Sequence, residues 1–429
     1  MKVLKVSPVT RIEGITTIPG DKSISHRAAI IGSIANGATE IEGYLESKDC
    51  LNTLKCLSEL GVRIEKVENG LLKVFGKGLF LNEPNEILNV GNSGTSIRLL
   101  AGILAGQPFY SVITGDDSIR QRPMKRIVSP LCEMGATILG RKKNTLAPLT
   151  IKGGPLRSIS YSSEIASAQV KSCVLLAGLY ADGVTSFSEP LKSRDHTERM
   201  LRFFGAEIQE WGTIVSLNPR CTLTGRSIKI PGDISSAAFF IVAGILLPNS
   251  DLLIEDVGIN PTRSGCIGIL LRMGASIEIF RVREEAGEPV GDIRVRSSSL
   301  HGITIGPEDI PSAIDEIPIL SLAAAFAEGE TLIKGADELR KKESDRIAAI
   351  VRYLRDLGVD IIETDDGMII SGGVSRLKGG AVQSSNDHRI AMSAAIAGLV
   401  AEEPVIIQDA GCIEISFPGF DELLFSLTK

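Results

Sequence analysis

Cations, hydroxyls and glycines recur together in eight short stretches of this 429-residue chain. In order they are PGDKSISHR (19–27), GNSGTSIR (91–98), QRPMKR (121–126), SAQVK (167–171), SRDHTE (193–198), NPTR (260–263), ELRKKESDR (338–346) and SSNDHR (384–389). The chemistry these residue types suit is the capture of small anions. Lys22 is a compact point charge fit for a phosphate or a carboxylate. Gly94 lets backbone N–H groups come close to a phosphate, although GNSGT lacks the G-x-x-x-x-G-K-[ST] pattern of a Walker loop. Gly20 permits an unusual backbone ahead of Lys22.

Each stretch also has a plainer reading. Lys22 could be a solvated turn lysine, GNSGT an ordinary turn, the cations around Pro123 a solvated bend, and SAQVK the start of an amphipathic helix. Arg194 and Glu198 stand at i,i+4, the spacing of a helical ion pair. Asp315, ahead of an apolar run, could be a cap, and so could the NDHR stretch. Lys342, Glu343 and Arg346 lie in a charged run that would ordinarily face water.

The elements that must position these residues form a repeat. An apolar helical stretch followed by a β-like run occurs six times, at 28–44, 98–116, 174–190, 239–257, 320–337 and 393–410. Between the copies comes a second helix stopped by Gly and followed by a strand, as in ELGVRIE (59–65), EMGATIL (133–139), FFGAEIQ (203–209), RMGASIEI (272–279) and DLGVDIIE (356–363). Gly in that place is the usual left-handed helix C-cap, and alternating β-branched residues after it read as strand. IPGDKSIS (18–25) is echoed by IPGDISSA (230–237). The echo divides the chain into a lobe of units one to three (21–228) and a lobe of units four to six (229–429). Residues 1–20 belong with the latter, and hinges are expected at about 19–22 and 229–233.

The six leads into the apolar helices each supply Ser, Asp or Asn where a cap is wanted. A helix N-terminus carries roughly +0.5 charge, worth about 0.3–2 kcal/mol for an anion. Lys and Arg contacts at about 1.5–3 kcal/mol each would outweigh it. The pattern predicts a small anionic ligand held where the lobes meet.

Composition narrows the alternatives. Hydrophobic residues make up 43% and charged residues 23%, which excludes intrinsic disorder. Net charge is −6 and aromatics are 4%, so neither the basic footprint nor the stacking rings of a nucleic-acid binder are present. The longest apolar run, 237–247, is half what a membrane span needs. The opening MKVLKVSPVTRIEG lacks the apolar region of a secretory signal. Seven cysteines without a C-x-x-C pair suit a reducing compartment, and the four histidines show no zinc-site spacing. The expectation is a cytoplasmic enzyme without metal or organic cofactor, and without a nucleic-acid or membrane partner.

In content and order, the eight stretches resemble those of the 5-enolpyruvylshikimate-3-phosphate synthases, over nearly the full length. The resemblance implies an α/β fold, a two-lobe inside-out α/β barrel of six βαβαββ units, three per lobe. It implies transfer of enolpyruvyl from phosphoenolpyruvate to the 5-hydroxyl of shikimate 3-phosphate by addition–elimination, by a monomer. On that resemblance shikimate 3-phosphate is held by Lys22, Ser23, Arg27, Ser167, Gln169, Arg194, Asp315 and Lys342. Phosphoenolpyruvate is held by Lys22, Asn92, Gly94, Arg122, Gln169, Glu343, Arg346 and Arg389. Asp315 is the base for the 5-hydroxyl, Lys22 and Glu343 share the C3 proton, Arg98 supports the 92–99 loop, and Lys171 and Asp49 are supporting.

The related UDP-N-acetylglucosamine enolpyruvyl transferases differ, with Asn after the early Lys and a reactive Cys in a first-lobe loop. Here Ser23 follows Lys22, and 114–123 has no Cys. A non-catalytic anion-binding protein of the same fold is the other alternative, against which Lys22, Asp315, Glu343 and Arg389 all stand intact. One departure from the family's best-studied members is Ile415, where they carry Lys near the C-terminus. The motifs GDK, SAQxK, RxHxE and NxTR mark the glyphosate-tolerant class II type. Leu99 stands where sensitive members usually have Pro, so tolerance of this phosphoenolpyruvate mimic is expected.

Overall fold

The computed structural model describes residues 2–67 and 70–429. The chain forms two compact units, Gly20–Ile230 with Glu284–Glu288, and the residues up to Pro19 with Pro231–Arg283 and Pro289–Lys429. They are called the first and second unit below.

Six helices follow from the six apolar stretches. Three lie in the first unit, Lys22–Ser33, Gly94–Ala105 and Ala168–Gly178, and three in the second, Ile234–Leu246, Ile317–Phe326 and His388–Leu399. They are buried over almost their whole length, as helices apolar on every side must be. Within each unit the helices pack on one another and form the middle of one continuous hydrophobic core.

Small sheets flank these cores. In the first unit, Ser227–Lys229 runs parallel to Asn36–Glu42, which pairs antiparallel with Leu72–Lys77 and through it with Arg63–Lys66. The sheets built on Tyr110–Thr114 and Thr185–Ser188 repeat this parallel–antiparallel–antiparallel order. So does the second-unit sheet on Glu330–Ile333. The N-terminal segment completes two further sheets of the second unit. Glu13–Thr17 lies parallel to Asp251–Gly258, and Leu4–Val6 lies antiparallel to Val405–Gln408.

The five glycines expected to stop the intervening helices, at 61, 135, 205, 274 and 358, all have positive φ. That is the left-handed cap an L-residue adopts only with strain. Gly20 has a different reason to be glycine. Its φ is not in the left-handed region, but a Cβ there would meet the Gly43 carbonyl oxygen at 2.0 Å. Room is what the position demands, not torsion.

The C-terminal segment is part of the second unit's core. Phe417 and Phe420 form an edge-to-face pair with centroids 5.3 Å apart, and both pack on Phe240 of helix Ile234–Leu246. All three are fully buried. Phe420→Ala is expected to destabilise the second unit by about 3–5 kcal/mol. Denaturant unfolding followed by a probe in each unit checks this, and an unchanged second-unit midpoint contradicts it.

Candidate active site

In the first unit, three helix starts carry the expected anion-binding residues, and each start has its cap. Asp21 accepts from Ile24 N–H, Ser93 from Ser96 N–H, and Ser167 from Val170 N–H. The expectation of a capping role for Ser167 therefore holds whatever else its hydroxyl does. Behind Asp21, Lys22 Nζ lies 3.3 Å from Asp49 Oδ2. The Ser23 carbonyl accepts from Arg27 Nη1 at 3.0 Å. Arg27 is buried, and it donates to Thr197 Oγ1 at 2.6 Å and to Ser172 Oγ at 3.0 Å. Burial, with Arg194 as a neighbouring positive charge, pushes the Arg27 guanidinium down to about 10, although Glu198 and Asp21 oppose the shift. Two cations so placed, partly desolvated, suit a doubly charged anion such as a phosphate.

The stretches 91–98, 121–126 and 167–171 converge through side chains. Gln169 accepts from Arg98 Nη1 and donates to Thr95 Oγ1 at 3.1 Å. Arg98 also reaches the Gly94 carbonyl at 3.4 Å. Arg122 Nη2 donates to Asn92 Oδ1 at 2.8 Å, and Asn92 donates in turn to Asp116 at 2.7 Å. A Cβ on Gly94 would stand 2.8 Å from Arg98 Nη1 and 3.2 Å from Arg122 Nη1. The glycine thus leaves its first-turn surface open between two guanidinium groups.

The second unit gathers Asp315, Lys342, Glu343, Arg346 and Arg389. Arg346 is 1% exposed and sits at the centre. It reaches Asp387 from Nε at 2.8 Å, Asp315 from Nη1 at 3.2 Å and Glu343 from Nη2 at 2.7 Å. Lys342 Nζ lies 3.4 Å from Asp315 Oδ1, and Arg389 Nη1 donates to the Asp315 carbonyl at 2.9 Å. Burial works against the Arg346 charge, yet its three carboxylate partners raise its pKa further. Burial likewise pushes the Asp387 carboxyl up, but Arg346 outweighs it and holds Asp387 below the ordinary aspartate value.

The structure departs from the plainer readings in three places. Asp315 is not the cap of helix Ile317–Phe326. The N-cap position belongs to Glu316, which makes no capping bond. The charged run 342–346 is not simply a solvated face, because Arg346 is buried against Asp387 and Lys342 and Glu343 are half-buried. Glu198 is engaged by Lys171 Nζ, from a different helix, at 2.8 Å, and Asp195 with Arg199 forms an i,i+4 pair at this helix start. Ile415, at the place of the family's lysine, packs on the second unit's core, while Glu414 pairs with Lys2.

The cap reading of the NDHR stretch holds, since Asp387 caps helix His388–Leu399, and Asp387 also faces Arg346. Sequence reasoning passed over two further buried charges that hold these groups. Glu316 accepts from Arg263 Nη1 at 2.9 and 3.1 Å and lies 3.4 Å from Arg389. Glu189 meets Lys171 at 2.7 Å. For Glu316 the available signal was a second carboxylate, inside IDEIP, entering an apolar helix.

Asp387→Asn keeps the capping acceptor and removes the charge that Arg346 faces, and breaking a buried pair costs about 3–5 kcal/mol. A carboxyl with a depressed folded pKa contributes stability that is complete above the unfolded value, about 4, and is lost as pH falls through the folded value. The stability gap between wild type and variant should therefore be full at pH 7 and close below about pH 4. Denaturant titrations across that range check it, and a gap independent of pH would mean that charge is not its source.

Comparison with known proteins agrees with this geometry. Residues 6–424 match the family model of EPSP synthase (3-phosphoshikimate 1-carboxyvinyltransferase). A 3-phosphoshikimate 1-carboxyvinyltransferase of Desulforudis audaxviator (strain MP104C) is 54% identical over 425 residues, covering 99% of each chain. One from Bacillus thuringiensis (strain Al Hakam) is 53% identical over the whole of both chains. The solved structure of EPSP synthase from Acinetobacter baumannii superimposes with a TM-score of 0.90 at 45% identity, covering 100% of this chain and 98% of that one. With buried helix starts presenting cations in one unit and a carboxylate–guanidinium cluster in the other, this chain belongs to the EPSP synthase family.

Proposed function

We propose that this chain carries out the reaction its family is named for. It transfers the enolpyruvyl group of phosphoenolpyruvate to the 5-hydroxyl of shikimate 3-phosphate and releases phosphate, a step toward the aromatic amino acids. The observation that carries the reading is the setting of Asp315. Its carboxylate is not used as a cap, and Lys342 and Arg346 hold it in place. A carboxylate so held is suited to accept a hydroxyl proton.

The reaction runs as addition and elimination. Asp315 takes the 5-hydroxyl proton as that oxygen attacks C2 of phosphoenolpyruvate, and C3 gains a proton. The tetrahedral intermediate then loses a C3 proton and phosphate. Lys22 and Glu343 handle the C3 proton. Positive character develops at C2 in both steps, and the carboxylates of Asp315 and Glu343 stabilise it electrostatically. Arg27 and Arg194, with Ser23, Ser167, Gln169 and Lys342, bind shikimate 3-phosphate. Asn92, Gly94, Arg122, Gln169, Arg346 and Arg389 bind phosphoenolpyruvate. A phosphate bound beside Arg27 and Arg194 would offset the burial that chiefly depresses Arg27 and the lesser repulsion between the two cations.

The reading extends to glyphosate, a phosphoenolpyruvate mimic that this chain tolerates, and to a monomer acting in the cytoplasm, where its seven unpaired cysteines stay reduced. No helix among the described residues is long and apolar enough to cross a membrane.

Phosphate release measured with both substrates present tests the activity; no release with either substrate omitted and full release with both is the expected result. Asp315→Asn should lower kcat by about 10²–10⁴ while shikimate 3-phosphate still binds. A near-normal kcat removes Asp315 from the chemistry. Gly94→Ala places a methyl against Arg98 and Arg122. It should raise the glyphosate inhibition constant by more than the Michaelis constant for phosphoenolpyruvate, and an equal rise in both defeats that expectation.

A further inference from the structure

Ser193, the residue before Arg194, has all three of its polar groups held by one buried ion pair. Its N–H donates to Glu189 Oε1 at 2.8 Å and its hydroxyl to Glu189 Oε2 at 2.6 Å. Its carbonyl accepts from Lys171 Nζ at 3.2 Å. Lys171 gives its other two protons to Glu189 Oε1 at 2.7 Å and Glu198 Oε1 at 2.8 Å, so the ammonium is fully used. The Lys171 and Glu189 side chains are 3% and 1% exposed, too deep to meet a ligand in solution. Burial disfavours the Lys171 charge, but Glu198 and Glu189 outweigh it and keep the group protonated.

We propose that Glu189 is a positioning residue for shikimate 3-phosphate: through Ser193 it fixes the backbone from which Arg194 projects. The role rests on the reading of Arg194 as a phosphate ligand. Lys171 belongs to the same clamp, and it begins one turn into the helix whose start carries Ser167 and Gln169. The clamp therefore ties two groups of substrate residues to one charge pair. It also gives a physical reason for Lys in SAQVK to accompany Glu in SRDHTE, since each is the other's buried counter-charge. Glu189 lies just after strand Thr185–Ser188, outside all eight stretches.

The test is steady-state kinetics with each substrate varied in turn. Glu189→Gln keeps the shape and removes the charge. It should raise the Michaelis constant for shikimate 3-phosphate about tenfold, the scale of a misplaced charge-assisted contact, with kcat and the phosphoenolpyruvate constant within about twofold. Ser193→Ala removes a single hydroxyl and should shift the same constant less, which covers failure of the glutamine variant to fold. Combined with Arg194→Ala, Glu189→Gln should add almost nothing. The positioning role is overturned if both variants leave shikimate 3-phosphate unaffected, if both substrates weaken equally, or if the effects of Glu189→Gln and Arg194→Ala multiply. If Arg194→Ala alone leaves shikimate 3-phosphate binding intact, the ligand reading of Arg194 falls and the positioning role falls with it. If Arg194→Ala weakens binding and the other two variants do not, only the positioning role falls.

Discussion

A helix that is apolar on every side can be buried only if its first turn, with its unpaired N–H groups, is satisfied. Six such helices form the two cores, and that constraint decides where the chemistry of this chain can lie. Their flanks are largely closed by packing, so polar residues gather toward their starts, and those further in, such as Arg27 and Lys171, are buried with polar partners. Four of the six starts use Asp or Ser caps drawn from the eight motif stretches themselves: Asp21, Ser93, Ser167 and Asp387. A fifth, Asp233, accepts from Ser235 N–H in the echo of the first stretch. The cap keeps each N-terminus ordered and partly dehydrated, which is the condition under which its partial positive charge counts most.

Buried charge is the second constraint, and it is met by excess pairing. Arg346 faces Asp387, Asp315 and Glu343; Lys171 faces Glu189 and Glu198; Arg263 faces Glu316 and Asp233. A hydrophobic cluster in these places could be as stable. What the pairs add is geometry, because each fixes a neighbouring polar group of the site. Arg346 and Lys342 flank Asp315, Glu316 braces Arg389, and Glu189 grips Ser193. In a reaction whose two steps share one cationic carbon, carboxylates held at fixed positions do more than mobile ones.

Much of this was legible in the sequence, for particular reasons. The apolar stretches and the Gly stops gave helix and strand order, because burial on all sides and a left-handed cap leave unmistakable local patterns. The eight stretches supplied the residues proposed to face the substrates, since each is local in the chain. What stayed hidden were partners distant in sequence. Glu189 is an isolated glutamate after a strand, and nothing near it in the chain announces Lys171. Glu316 reads as half of an acidic pair until Arg263 is brought to it from 53 residues away. The sheet closures by Leu4–Val6 and Glu13–Thr17 are invisible for the same reason.

The adjacent carboxylates Asp315 and Glu316 show how one helix start divides its labour. Glu316 points into the core, where its side chain is fully buried against Arg263 and Arg389. It is spent on structure. Asp315 keeps 13% of its side chain exposed and is approached by Lys342 at 3.4 Å and Arg346 at 3.2 Å. In the role proposed for Asp315, taking and releasing a proton leaves the helix start intact, because the N-cap position belongs to Glu316. A residue that served both as cap and as base would couple turnover to local melting. With Glu316 committed to Arg263 and Arg389, the proposed base is a separate residue from the one at the cap position.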